Sequence, residues 1–111
     1  MRFRTRERIR RRPEFKQVYE RGARIHSRYS TVFLLANGTD VGRLGIAATR
    51  KLGGAVQRNR AKRLIREVFR RNKIAPGFDV VVVPKRDLLD ASLSTLEADY
   101  RNLVERRLRG R

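Results

Sequence analysis

The spacing of apolar residues divides the chain into alternating helix and strand signals. Phe15, Val18 and Tyr19 recur at i, i+3 and i+4 behind Pro13-Glu14, which suits a helix start, and Gly22 supplies a stop. This predicts a short amphipathic helix. Tyr29 to Leu35 is rich in aromatic and β-branched residues and runs into the turn signal Asn37-Gly38, so it reads as a strand. Arg43 to Thr49 reads as a second strand, with Leu44, Ile46 and Ala48 alternating against Gly45, Ala47 and Thr49. After Gly53-Gly54, Val56 to Arg71 is helical, with Ala61, Leu64, Ile65 and Val68 on one stripe beside Phe69. Val80 to Val83 is a continuous apolar run stopped by Pro84, the pattern of a central strand covered on both faces. Ser94 and Glu97 match a capping box, with Ser92 a competing cap, and Leu96, Tyr100, Leu103 and Leu108 set one face of a last helix on the sheet. The predicted order is α-β-β-α-β-α, with room for one more strand. A strand, a long helix and a buried strand make a βαβ crossover with the two strands parallel or near it. The fold class is therefore α+β, a sandwich of helices on a sheet.

Composition narrows what such a domain can do. At 111 residues the chain is the size of one domain, and 40% hydrophobic residues suffice for a core. The first twelve residues, seven of them Arg, read as a flexible basic arm, residues 1–12. No apolar run approaches the ~20 residues of a membrane span, and no apolar segment follows the charged N-terminus. A cytoplasmic protein is the expectation. Cys is absent and His26 is the only histidine, which excludes thiol nucleophiles, cysteine-ligated zinc and His-cluster sites. Asp87 and Asp90 are the nearest approach to a carboxylate cluster, and they suit a turn or a helix cap better than a two-metal nuclease site.

Charge then points to the partner. There are 29 Lys or Arg against 11 Asp or Glu, a net charge of +18. Residues 1–30 hold 11 basic side chains and residues 50–73 hold 10, whereas residues 31–49 hold one. On a helical wheel Asn59, Arg63, Arg66 and Arg70 lie opposite Leu64 and Val68, flanked by Lys62 and Arg60. That ridge can follow a phosphate backbone, each guanidinium replacing a condensed counterion. The alternative is a solvated basic face, but only Glu67 is available on that helix to neutralise it. Asn59 is a poor interior helix former, and its place among strong charges suggests a specific hydrogen bond, to RNA or to a neighbouring turn. Arg makes up 24 of the 29 basic residues, a bias that fits phosphate forks and base stacking and equally fits a GC-rich genome. Tyr29 and Phe33 share a strand face and Phe15 and Tyr19 a helix face, so they can form a joint stacking platform for single-stranded RNA; Phe15 and Phe33 can equally be core.

The run Arg43-Leu44-Gly45-Ile46, then Thr49-Arg50-Lys51-Leu52-Gly53-Gly54-Ala55-Val56-Gln57-Arg58-Asn59-Arg60, then the basic helix to Arg70, resembles the signature of the bacterial ribonuclease P protein subunit. Arg12-Pro13-Glu14-Phe15, Val18-Tyr19, Gly22 and Phe78-Asp79-Val80-Val81 extend the resemblance over roughly residues 9–108. Gln57 and Ala61 depart from the family's apolar positions, and Thr49-Arg50 replaces the commoner Ser-Lys. The resemblance implies a single αβββαβα two-layer sandwich, ribosomal protein S5 domain 2-like, with a left-handed crossover. It implies removal of the 5′ leader from precursor tRNA, with the chemistry carried by an RNA subunit and its Mg2+ and no cofactor or catalytic residue on this chain. The implied partners are the catalytic RNA and the precursor tRNA 5′ leader, one protein per RNA, with no membrane. By the same resemblance Arg58, Asn59, Arg60, Lys62, Arg63, Arg66 and Arg70 would bind the catalytic RNA. Phe15, Tyr19 and Phe33 would line a leader cleft, joined by Arg50, Lys51 and Arg86. A small structural RNA-binding protein of ribosomal type is the competing reading, and it needs no aromatic cleft.

Overall fold

The computed structural model describes residues 7–109. Helix α1 spans Arg12–Arg21, strands β1, β2 and β3 span Ala23–His26, Ser30–Ala36 and Arg43–Ile46, helix α2 spans Ala55–Arg71, strand β4 spans Phe78–Pro84 and helix α3 spans Leu93–Arg109. Short 3-10 turns at Arg50–Leu52 and Arg86–Asp90 follow β3 and β4. The sheet order is β1-β2-β4-β3, with β3 and β4 parallel and the other pairs antiparallel. The α+β order read from periodicity is thus the observed one, with β1 as the additional strand.

The valine run of β4 explains the layering. Val80, Val81 and Val82 are all essentially buried, because successive side chains enter opposite faces of a central strand. Val80 and Val82 join Val32, Leu34, Leu44, Ile65, Val68, Phe69, Leu103 and Val104 in the main core, under α2 and α3. Val81 joins Ile9, Val18, Phe15, Phe33 and Leu35 in a smaller core under α1. Helices α2 and α3 therefore make the sandwich layer, and α1 lies alone across the other face. On that face Thr31, Phe33 and Leu35 of β2 and Val83 of β4 are only half-buried.

Local chemistry fixes the helix ends. At α1, Glu14 Oε1 accepts the N–H groups of Arg10 and Arg11, each at 3.2 Å, which satisfies donors the helix itself cannot. Ser92, not Ser94, caps α3: its Oγ accepts the Thr95 N–H at 3.2 Å and its carbonyl accepts the Leu96 N–H at 3.0 Å. Of the basic arm expected over residues 1–12, residues 1–6 lie outside the described residues. Ile9 is buried and donates its N–H to the Leu44 carbonyl at 2.9 Å, beside a parallel bridge of Arg8 to Leu44. This stretch runs along the outer edge of β3. No helix among the described residues is long and apolar enough to cross a membrane.

Candidate nucleic-acid interface

Two surfaces carry the residues singled out from the sequence, and the sheet separates them. On the α1 face Phe33 of β2 meets Tyr19 edge-on, with ring centroids 5.0 Å apart, and Phe15 lies 6.4 Å from Tyr19. Tyr19 is 40% exposed, and Phe15 and Phe33 are half-buried. The close approach of α1 depends on Gly45. A Cβ there would stand 2.8 Å from the Phe15 ring and 3.1 Å from Ile9 Cβ, so only glycine lets the ring lie on β3. Phe15 is thus partly a packing residue, while Tyr19 and Phe33 present open ring surface beside it. Burial pushes the Tyr19 hydroxyl above its ordinary value, so it stays a neutral donor at physiological pH.

Tyr29 does not join this group. The strand begins at Ser30, and Tyr29 packs against the main core on the other side of the sheet, its N–H donating to Ser27 Oγ at 3.1 Å and its carbonyl accepting the Lys85 N–H at 2.9 Å. The register adds residues that periodicity did not single out. Arg24 stands opposite Phe33, and His26 opposite Thr31, so both exposed β1 side chains share the aromatic face. Because β3 and β4 run parallel, the exposed Arg50, Lys51 and Arg86 all emerge at one end of the sheet. The Lys85 ammonium donates to the Ser27 carbonyl at 2.6 Å and braces the β1–β2 turn there.

The second surface is the outer side of α2. Asn59, Arg60, Arg63 and Arg66 are exposed and Lys62 is half-buried, opposite the buried Ala61, Ile65 and Val68. Val56, 78% exposed, stands at the start of the same stripe. Among the described residues the side chains of Asn59, Arg63 and Arg66 are exposed and have no partner, so the bond to a neighbouring turn considered for Asn59 is not formed there. Two members are engaged within the protein. Arg58 donates to the Gly53 carbonyl at 3.2 Å, tying the helix to the preceding turn, and Arg70 Nε donates to Glu67 at 3.2 Å. The Gly53 turn itself needs glycine, with φ +144° and Gln57 carbons about 3 Å from where a Cβ would stand. Among the described residues no three carboxylates or histidines converge to hold a metal ion, and Asp87 is paired with Arg28 at 2.9 Å.

Unneutralised arginines on one helix face repel one another until an anion screens them. Melts at matched ionic strength should therefore give a higher midpoint in sodium sulfate than in sodium chloride, by about 4–8 °C per 1 kcal/mol of anion binding. The increment should shrink when Arg63 and Arg66 become Ala, which general exclusion of sulfate from the surface would not cause. An undiminished increment would show that no anion site lies on the ridge.

A family model for ribonuclease P matches residues 3–108. The ribonuclease P protein component of Thermotoga sp. strain RQ2 is 40% identical over 110 residues, 94% of each chain. The RNase P protein from Thermotoga maritima superposes with a TM-score of 0.81 at 40% identity, covering 90% of this chain and 96% of that one. The Staphylococcus aureus RNase P protein gives 0.78 at 30% identity, over 89% and 93%. The four-stranded sheet with three helices is thus the architecture of a known class of bacterial α+β proteins. Within that class the chain belongs to the ribonuclease P protein component family.

Proposed function

We propose that this chain, part of a ribonucleoprotein endoribonuclease concerned with tRNA processing, has two tasks on two faces. Helix α2 docks on the catalytic RNA through Asn59, Arg60, Arg63 and Arg66, and the aromatic face holds the single-stranded 5′ leader of precursor tRNA. The observation that carries the second task is the Tyr19–Phe33 pair, Tyr19 exposed and Phe33 half-buried, with Arg24 opposite Phe33 and with Arg50, Lys51 and Arg86 at one end of the same sheet. Bases stack on such rings whatever their identity, and flanking guanidinium groups take the phosphates. Docking the RNA and substrate together positions the scissile bond without any protein group acting on it. In this reading the magnesium of the holoenzyme is held by the RNA, as the family resemblance implies. A purely structural RNA-binding role would not call for aromatic ring surface left exposed at Tyr19.

Reconstitution tests the reading. Adding the chain to a matching catalytic RNA at magnesium too low for the RNA alone should restore cleavage of precursor tRNA. No restoration, with the protein bound, would overturn it.

The carboxylate that caps α1 brings a pH dependence. The Arg11 N–H above all, together with the Arg43 guanidinium and the Arg10 N–H, holds the Glu14 carboxyl below its ordinary value of 4.5 despite partial burial, which acts the other way. A folded-state value below the unfolded one stabilises the fold above pH ~4.5 and loses that contribution as pH falls through the folded value. Wild-type stability should therefore fall on acidification over that range more steeply than that of Glu14→Gln. Acid titrations of the two proteins that run parallel by circular dichroism would contradict the account.

A further inference from the structure

Arg43 is the one basic side chain between residues 31 and 49, and it faces inward rather than toward solvent RNA. Its guanidinium spans three elements. Nε donates to Asp79 Oδ1 at 2.8 Å and an Nη to Asp79 Oδ2 at 2.7 Å, a two-pronged grip on β4, while the other Nη donates to Glu14 Oε2 on α1 at 3.0 Å. Asp79 is buried and is also held by Asn37 Nδ2 at 2.9 Å, so the β4 end of the fork is rigid. Glu14 in turn is fixed by the Arg10 and Arg11 amides. Among the described residues this is the one polar bridge between α1 and the sheet; the remainder of that interface is Phe15, Val18 and Tyr19 on apolar surface. Lysine keeps the charge but cannot reproduce a planar fork that engages two carboxylates at once.

We propose that Arg43, with Glu14 and Asp79, is a positioning device that sets α1 at the height and angle at which Tyr19 and Phe33 form one stacking surface, and so tunes the affinity of that surface for single-stranded RNA. The inference rests on the leader reading given above. Arg43 touches no RNA in this account; it acts through the α1 wall. Displacing a wall by even ~1 Å is costly where binding depends on aligned rings.

The test is a double-mutant cycle in the assembled holoenzyme, reading the ratio of precursor to mature tRNA affinity for Arg43→Lys, Phe33→Leu and the pair. Glu14→Gln, which weakens only the α1 end, repeats it should Arg43→Lys fold poorly. The expected result is about a fivefold lower ratio for Arg43→Lys or Glu14→Gln, unchanged affinity for the catalytic RNA, and no further loss when either is added to Phe33→Leu. Because the chain has no cysteine, spin labels at Lys16→Cys and Arg24→Cys report the α1–sheet distance directly, and its distribution should broaden in Glu14→Gln. If Phe33→Leu lowers the ratio and Arg43→Lys and Glu14→Gln do not, the positioning role falls and the leader reading stands. If Arg43→Lys lowers it and Phe33→Leu does not, or if the two losses add, Arg43 does not act through the cleft. If no variant lowers it, both readings fall.

Discussion

Phe33→Leu in the holoenzyme should weaken binding of leader-bearing precursor tRNA while leaving mature tRNA and the catalytic RNA bound as before. A base stacked on an aromatic ring contributes about 1–3 kcal/mol, so the loss is roughly 5- to 150-fold. Leucine refills the inner part of the site, where Phe33 meets Val81 and Val18 in the smaller core, so the cost in stability stays below about 1.5 kcal/mol. The two roles of the ring separate cleanly in this variant. Were Phe33 only a core residue, the melting temperature would drop and every RNA would bind less well. A precursor-to-mature affinity ratio that does not fall on mutation removes Phe33 from the leader surface.

The double substitution Arg63→Ala and Arg66→Ala should act on the other face and in the other way. Both side chains are exposed and, among the described residues, unpaired, across the helix from Ile65 and Val68, and alanine is the better helix former, so the fold survives. For every phosphate that the helix no longer neutralises, the log–log salt slope for catalytic-RNA binding should drop by about 0.7–0.9. Affinity at low salt should fall steeply, with the precursor-to-mature ratio unchanged. Arg58→Ala should behave differently, since Arg58 ties the helix to the Gly53 carbonyl and its removal loosens the α2 start as well. Unchanged affinity and slope in the double variant would reduce the ridge to a solvated face.

The elements with strong periodicity are readable directly. Helix α2, the valine strand β4 and the parallel β3–β4 pair all follow from local pattern, because a 3.6-residue stripe or an unbroken apolar run has few ways to be buried. Strand β1 is four residues long and alternates half-buried with exposed positions at the sheet edge, so it leaves little local signal. Spacing alone misplaces Tyr29 for a geometric reason: period-2 counting from Phe33 holds only within the strand, and the strand starts one residue later. Ile9 lies among arginines that read as a solvated arm, yet one buried side chain and one backbone hydrogen bond draw it onto β3. The ridge is legible as a stripe of charge with Glu67 as its one available acid, but not the Arg58 tie to the Gly53 carbonyl. The Arg43 fork is invisible in the sequence, since it joins residues 29 and 36 positions apart that only the folded sheet brings together.

The central claim is that leader and catalytic RNA occupy opposite faces of one sheet. Photo-crosslinking the assembled complex, with a photoreactive base placed first in the 5′ leader and then in the catalytic RNA, tests it most directly. Leader crosslinks mapped by mass spectrometry should fall on peptides containing Tyr19 and Phe33, and catalytic-RNA crosslinks on the α2 peptides around Asn59 and Arg63. Leader crosslinks on α2, or none on the aromatic face, would contradict the account.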